Sequence, residues 1–149
     1  MSEKLDELRK LLDIVDALRG PAGCPWDRAQ KLGDLSRYLL EEASEAADAI
    51  EDAGGRPTPA VMEELGDLLM NIFLAARIAE DEGSFSIAEV AGAIAEKLVR
   101  RHPHVFGCGD PGGIGPGGSA AGGASAAGAR PVLTSVQEVL RTWDAIKAE

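Results

Sequence analysis

Aromatic side chains are scarce in this 149-residue chain, at 4% of the total. β-branched residues are sparse too, while Ala and Leu abound, and that balance disfavours sheets. A basic excess is also missing: 15 Lys and Arg stand against 25 Asp and Glu, for a formal net charge of −10. The chain therefore lacks the electrostatic footprint of a nucleic-acid binder and is ill-suited to anionic lipid. A phosphorylated substrate stays open, because divalent cations reverse the local sign of a carboxylate site. No run of about 18 apolar residues occurs, so no membrane span is expected. The stretch from Met1 to Lys10 is charged and reads as a helix start, not as an apolar leader. Cysteines number two, Cys24 and Cys108, outside any ligand-type cluster. The expectation is unpaired thiols in a cytoplasmic protein. The Gly-rich tract lacks Gly-Lys-Ser/Thr, which rules out a P-loop. No Glu-x-x-His motif is present, which excludes a di-iron bundle.

What is there is helical pattern. The length suits one compact domain, and 45% apolar residues suffice for a core. Glu3 to Arg19 carries Leu5, Leu8, Leu11, Leu12, Val15 and Leu18 at helical spacing and stops at Gly20-Pro21. The segment GPAGCPWD reads as a loop, with Asp27 placed to cap the next helix. That second helix spans about Leu32 to Asp52 and stops at Gly54-Gly55. Thr58 is the N-cap and Pro59 the entry of a third, which runs from about Ala60 to Glu82. Ser86 caps a fourth, from Ile87 to Arg101, ended by Pro103.

Residues 107–131 then turn to Gly, Ala, Ser and Pro and offer too little apolar surface to offset ordering entropy. They read as a flexible linker. Helical pattern resumes at Ser135, with Val136, Val139, Leu140, Trp143 and Ile146 on one face. The expected organisation is an all-α catalytic domain over 1–106, like a four-helix bundle, a linker over 107–131, and a docking helix within 132–149.

Two helices carry acids where apolar residues belong. A helix advances about 100° per residue, so Leu35, Leu39, Ala46 and Ala49 form the core stripe of the second helix. Glu42 falls inside that stripe and Glu45 lies on its margin. In the third helix the stripe is Val61, Leu65, Leu68, Ile72 and Ala75. Glu64 and Asp67 project from its edge, with Asn71 one turn beyond. Residues at i, i+3 share a face, and the turn at 54–59 makes the helices antiparallel neighbours. Four carboxylates then converge in one layer, where they cannot all stay ionised without cations. Oxygen ligands in this number suit Mg²⁺ or Mn²⁺.

These residues carry a resemblance. Glu41-Glu42-Ala43-Ser44-Glu45, followed by Glu64-Leu65-Gly66-Asp67, resembles the EExxE…ExxD signature of MazG-type all-α nucleoside triphosphate pyrophosphohydrolases. The carboxylate signature alone is shared with dUTPase-like and phosphoribosyl-ATP hydrolase families. Gly23-Cys24-Pro25-Trp26-Asp27, the stretch KLVRRHPHVFG from Lys97 to Gly107, and the tail TWDAIKAE also resemble MazG, and the Cys-Pro-Trp-Asp and Arg-Arg-His-Pro-His-Val-Phe parts make it the specific match. The resemblance implies hydrolysis of nucleoside triphosphates to monophosphate and pyrophosphate by a homodimer or higher homo-oligomer. It implies Glu42, Glu45, Glu64 and Asp67 as Mg²⁺ ligands, with Glu41 beside them orienting or activating water. Some relatives carry two such units in tandem, whereas this sequence reads as one and has the long Gly/Ala-rich insertion.

Other residues divide between structure and substrate. Arg101 falls on the apolar stripe of the fourth helix with Lys97 on its flank. Both are candidates for contact with the triphosphate or with the core carboxylates, Arg100 less so, although cations at a helix C-terminus also answer its dipole. Trp26 is a candidate for stacking on a base, and Asn71 for contact with substrate. His102 and His104 read as structural or solvent-facing. Two other functions compete with a broad nucleotide-pool hydrolase: a narrow dUTPase-like enzyme, and a non-enzymatic helical module that merely binds divalent ions. Spacing does not reveal base preference.

Overall fold

The structure, a computed structural model, describes residues 2–106 and 135–147. Every regular element among them is a helix: α1 (Glu3–Arg19), α2 (Pro25–Ala29), α3 (Leu32–Asp52), α4 (Pro59–Asp81), α5 (Ile87–Arg101), α6 (Pro103–Phe106) and α7 (Val136–Lys147). The all-α class expected from composition is what is found. The linker expected at 107–131 lies outside the described residues.

The chain divides within α5 into two units, Met1–Val90 and Ala91–Glu149. In the first, α3 and α4 pack as an antiparallel hairpin and α1 lies against α4, with α2 beside α1. Val15, Leu35, Phe73, Leu74 and Ile78 form the core, flanked by Leu11, Leu12, Tyr38 and Leu39. Leu35 is completely buried. The helix ends obey local chemistry. Thr58 Oγ1 accepts from the Val61 amide at 3.4 Å, with Pro59 at the first helical position. The Ser86 amide donates to the Glu89 carboxylate at 2.8 Å. Gly54 and Gly55 take φ of 61° and 72° where α3 ends, a left-handed conformation that favours glycine.

Three expectations need correction. The segment around Pro25 is not all loop: Pro25 opens the short helix α2. Asp27 lies inside α2, and the start of α3 is served instead by Asp34, whose carboxylate accepts from the Lys31 amide at 2.9 Å. The expected stripe of α4 is only half buried. Leu65 and Ile72 are exposed, whereas Phe73, Leu74, Ala76, Ile78 and Ala79 are inside. The cause is packing on two sides: α4 meets both α3 and α1, so its buried arc is wider than one stripe, and α1 covers only part of its length. The same limit leaves Leu5 and Leu8 of α1 exposed.

Arg19 ties the first unit together. Its side chain is 9% exposed; Nε donates to Asp81 Oδ2 at 2.8 Å, and Nη1 donates to the carbonyls of Asp27 and Gln30 at 2.6 and 3.3 Å. Gly23 completes this corner, because a Cβ there would lie 2.1 Å from the Leu18 carbonyl oxygen. Removing the guanidinium takes a donor from two carbonyls and leaves Asp81 with Arg77 as its ion-pair partner, at 3.0 Å. Arg19→Ala should therefore lower stability by on the order of 2–3 kcal/mol in chemical denaturation. A loss below about 0.5 kcal/mol would show that Arg19 behaves as an ordinary surface residue.

In the second unit Val99 is buried. His102 Nδ1 lies 2.6 Å from the Leu98 carbonyl oxygen, and the His102 ring meets Trp143 edge-on at 5.1 Å between centroids. The His104 ring lies 5.6 Å from that of His102 between centroids, so both histidines, expected to be structural or solvent-facing, make ring contacts. Trp143, on the apolar face of α7, is half-buried.

Candidate metal centre

The hairpin of α3 and α4 brings together the acids that are out of place in their stripes. Carboxylate oxygens of Glu42, Glu64 and Asp67 all lie within 4.8 Å of one another. Glu42 and Glu64 are half-buried and Asp67 is exposed. Glu45 stands outside this triplet, yet it acts electrostatically on both half-buried acids. The Glu42 carboxyl is held above its ordinary range, first by partial burial and then by the charges of Glu45, Asp67, Glu64 and Glu41. Glu64 is raised in the same way, by burial first and then by Glu45, Asp67 and Glu63. Half-buried acids crowded by like charges impose a cost that a hard divalent ion would remove. The donor set consists entirely of carboxylate oxygens and fits such an ion.

That cost makes a pH prediction. A carboxyl whose folded value is raised holds extra protons in the folded state. Its stabilising contribution is complete below the unfolded value and is lost as pH rises through the folded value. The metal-free protein should therefore gain stability from this cluster as pH falls from 7 into the carboxylate range. Thermal melts with chelator should show the Glu42→Gln variant gaining less than the wild type on going from pH 7 to pH 5. Added Mg²⁺ should raise the wild-type melting temperature more at pH 7 than at pH 5. An equal pH response in the two proteins would contradict the crowding.

The remaining candidate residues are placed unevenly. Glu41 is exposed and pairs with Arg37 Nε at 3.4 Å. Asn71 is 3% exposed, and its amide donates to the Asp67 carbonyl at 3.3 Å, one turn back along α4. Trp26 is 55% exposed and meets Tyr38 at 5.9 Å between ring centroids. Tyr38 in turn carries the Arg37 guanidinium 5.1 Å from its ring centre. Lys97, Arg100 and Arg101 belong to the second unit, at the end of α5, where Arg101 is half-buried and Lys97 and Arg100 are exposed. Arg37 and Tyr38 escaped the sequence reading. The available signal was spacing: Arg37 stands four residues before Glu41, and Tyr38 four before Glu42.

Comparison with known proteins points one way. Residues 30–106 match the family described as the MazG nucleotide pyrophosphohydrolase domain. The chain is 44% identical over 98 residues to the nucleoside triphosphate pyrophosphohydrolase/pyrophosphatase MazG of Thermotoga maritima, covering 66% of this chain and 37% of that one. It is 41% identical over 108 residues to the nucleoside triphosphate pyrophosphohydrolase of Escherichia coli K12, covering 68% and 38%. An uncharacterized protein of Bacillus subtilis, YabN, is 47% identical over 100 residues, covering 67% and 20%. The chain thus spans a fifth to two-fifths of the length of these relatives. A crystal structure of a mazG-related protein from Thermotoga maritima shares the fold, with a TM-score of 0.65 at 22% identity, over 95% of this chain and 99% of that one.

Proposed function

The chain belongs to the MazG nucleotide pyrophosphohydrolase family, and from that premise we propose that it hydrolyses nucleoside or deoxynucleoside triphosphates to the monophosphate and pyrophosphate with Mg²⁺, or Mn²⁺ in its place. The observation that carries this reading is the set of converging carboxylate oxygens of Glu42, Glu64 and Asp67 within 4.8 Å of one another. Glu42, Glu45, Glu64 and Asp67 would hold the cation. When bound, the cation offsets phosphate charge and makes a water more acidic.

The chain's own residues then have distinct tasks. Glu41 accepts a proton from the attacking water, and the Arg37 partner orients its carboxylate. The water oxygen bonds to the α-phosphorus, the bond from that phosphorus to the α–β bridging oxygen breaks, and pyrophosphate leaves with that oxygen and the electron pair. Lys97 and Arg101 bind phosphate oxygens, with Arg100 a lesser contributor, through charge-assisted hydrogen bonds. Asn71 supports the Asp67 end of the site, and Trp26 stacks on the base.

The role we propose is nucleotide-pool housekeeping in the cytoplasm, by a homodimer or larger homo-oligomer of a 1–106 catalytic domain carrying a tethered C-terminal helix. Among the described residues no helix is long and apolar enough to cross a membrane. The test is pyrophosphate release from a panel of canonical and oxidised ribo- and deoxynucleoside triphosphates, with and without Mg²⁺. Metal-dependent release from several substrates is expected. Release from dUTP alone would mean the narrow enzyme, and no release from any substrate would leave a metal-binding module.

A further inference from the structure

A cleft of about 550 Å³ in the first unit joins two acids of the candidate site to a cation that the proposed mechanism does not use. Glu45, Glu64, Asp48, Asp52 and Arg56 are the charged residues of its lining. Arg56 reaches it through the way α3 ends. The Gly55 amide donates to the Ile50 carbonyl at 2.9 Å and the Gly54 amide to the Glu51 carbonyl at 2.8 Å. This six-to-one and five-to-two pattern closes a helix on left-handed residues. The next residue folds back, and Arg56 Nε donates to the Ala53 carbonyl at 2.9 Å.

That bond uses one of the five guanidinium donors and leaves both terminal nitrogens. Four carboxylates line the same cleft, yet among the described residues Arg56 forms no ion pair. An arginine fork suits bidentate binding of phosphate. No aromatic side chain lines the cleft, so it offers a base no stacking surface. The aromatic pair of Trp26 and Tyr38 lies toward the other end of α3, with Tyr38 one turn before Glu42. Along α3 the order is therefore aromatic side chains, then the carboxylate layer, then Arg56 on the turn.

We infer that Arg56 binds the terminal two phosphoryl groups of the substrate, which depart as pyrophosphate, in the cleft beyond Glu45 and Glu64. This deepens the pyrophosphohydrolase reading and rests on it. The acids Asp48 and Asp52 repel a bare polyphosphate, so the ligand is pyrophosphate accompanied by its divalent cation.

The probe is inorganic pyrophosphate with Mg²⁺, titrated calorimetrically into the full chain as wild type, Arg56→Ala and Arg56→Lys. Arg56→Ala should weaken pyrophosphate binding by about ten-fold or more, the equivalent of a lost charge-assisted contact. Arg56→Lys should fall between, since it keeps the charge and loses the fork. Binding of a nucleoside monophosphate with Mg²⁺ should change less than about two-fold, because the monophosphate lacks the groups that Arg56 holds. In turnover, KM for the triphosphate should rise by a similar factor while kcat changes little. Equal pyrophosphate affinity in wild type and Arg56→Ala overturns the inference. So does parallel weakening of pyrophosphate and monophosphate, which marks a general change in site charge, and so does a wild type that fails to bind pyrophosphate. Arg56-dependent pyrophosphate binding without hydrolysis of any triphosphate keeps the Arg56 assignment and removes the enzymatic reading. Hydrolysis with unchanged Arg56→Ala kinetics and binding does the reverse.

Discussion

Replacing Glu42 by Gln should remove nearly all triphosphate hydrolysis while leaving the helices intact. The substitution keeps the shape of the side chain and deletes a charge from the triplet formed with Glu64 and Asp67. Partners that only orient metal ligands are worth about 10–100-fold in activity, so loss of a ligand should cost about a hundred-fold or more. Fold stability should move the other way. Partial burial and then four neighbouring acids raise the Glu42 carboxyl, and a neutral amide relieves both costs in the metal-free protein. The expected pattern is an inactive variant that melts at or above the wild-type temperature with chelator present. Retention of most wild-type turnover would exclude Glu42 as a ligand. Inactivity with a collapsed melting temperature would make it a structural residue instead.

Charging the bare flank of the hairpin should break the proposed homo-oligomer. A step of about 100° per residue carries Leu40, Ala43, Ala47 and Ile50 to one side of the buried row of α3, and Glu41 and Glu45 to the other. On α4 the same rotation puts Met62, Leu65 and Ile72 to one side of Val61, Leu68 and Ala75, and Asp67 to the other. For antiparallel neighbours these two apolar rows meet on the flank away from the acids. They are uncovered: Leu40 is 74% exposed, Met62 71%, Leu65 49% and Ile50 43%. A patch of this kind marks an interface, and a second copy is the partner that the proposed homo-oligomer supplies. In a two-fold interface each substitution counts twice, and each buried apolar side chain is worth about 1.5–3 kcal/mol. Met62→Asp with Leu65→Asp should therefore weaken self-association by on the order of a thousand-fold or more. Sedimentation should show a dimer or larger species for the wild type at micromolar concentration and a monomer for the variant. A wild type that is monomeric and fully active would defeat the proposed assembly.

The sequence showed most where a single residue type answers a single local demand. Thr58-Pro59 marked a helix start, Gly54-Gly55 a helix end, and Glu42 an acid in an apolar row; all three read correctly because neighbours in sequence decide them. The stripe of α4 failed at Leu65 and Ile72 because burial there depends on how far α1 extends, a tertiary fact that periodicity does not contain. Asp27 failed for a different reason. Its type suits a cap, but Pro25 starts a helix earlier and Asp34 is better placed to serve α3. Arg19, Arg37 and Arg56 were invisible because a long cation on a helix or turn looks the same whether it binds solvent, a carbonyl or a neighbouring ring.

The turn at Gly54-Gly55 also acts as a ruler. Glu45 lies nine residues before Gly54 and Glu64 nine after Gly55, while Glu42 and Asp67 lie twelve away on either side. Opposed positions on an antiparallel hairpin are those equidistant from its fold, so the acids face one another because the two arms are counted from the same point. Apart from Gly54, Gly55, Arg56 and the Thr58-Pro59 cap, the hairpin should accept many substitutions between Glu45 and Glu64, but almost no change in length. One residue added to either arm slides every later position by about 1.5 Å and rotates it by about 100°, and Glu64 and Asp67 would turn away from their partners on a helix that still folds. Length, more than residue identity, is what this stretch of chain has to keep.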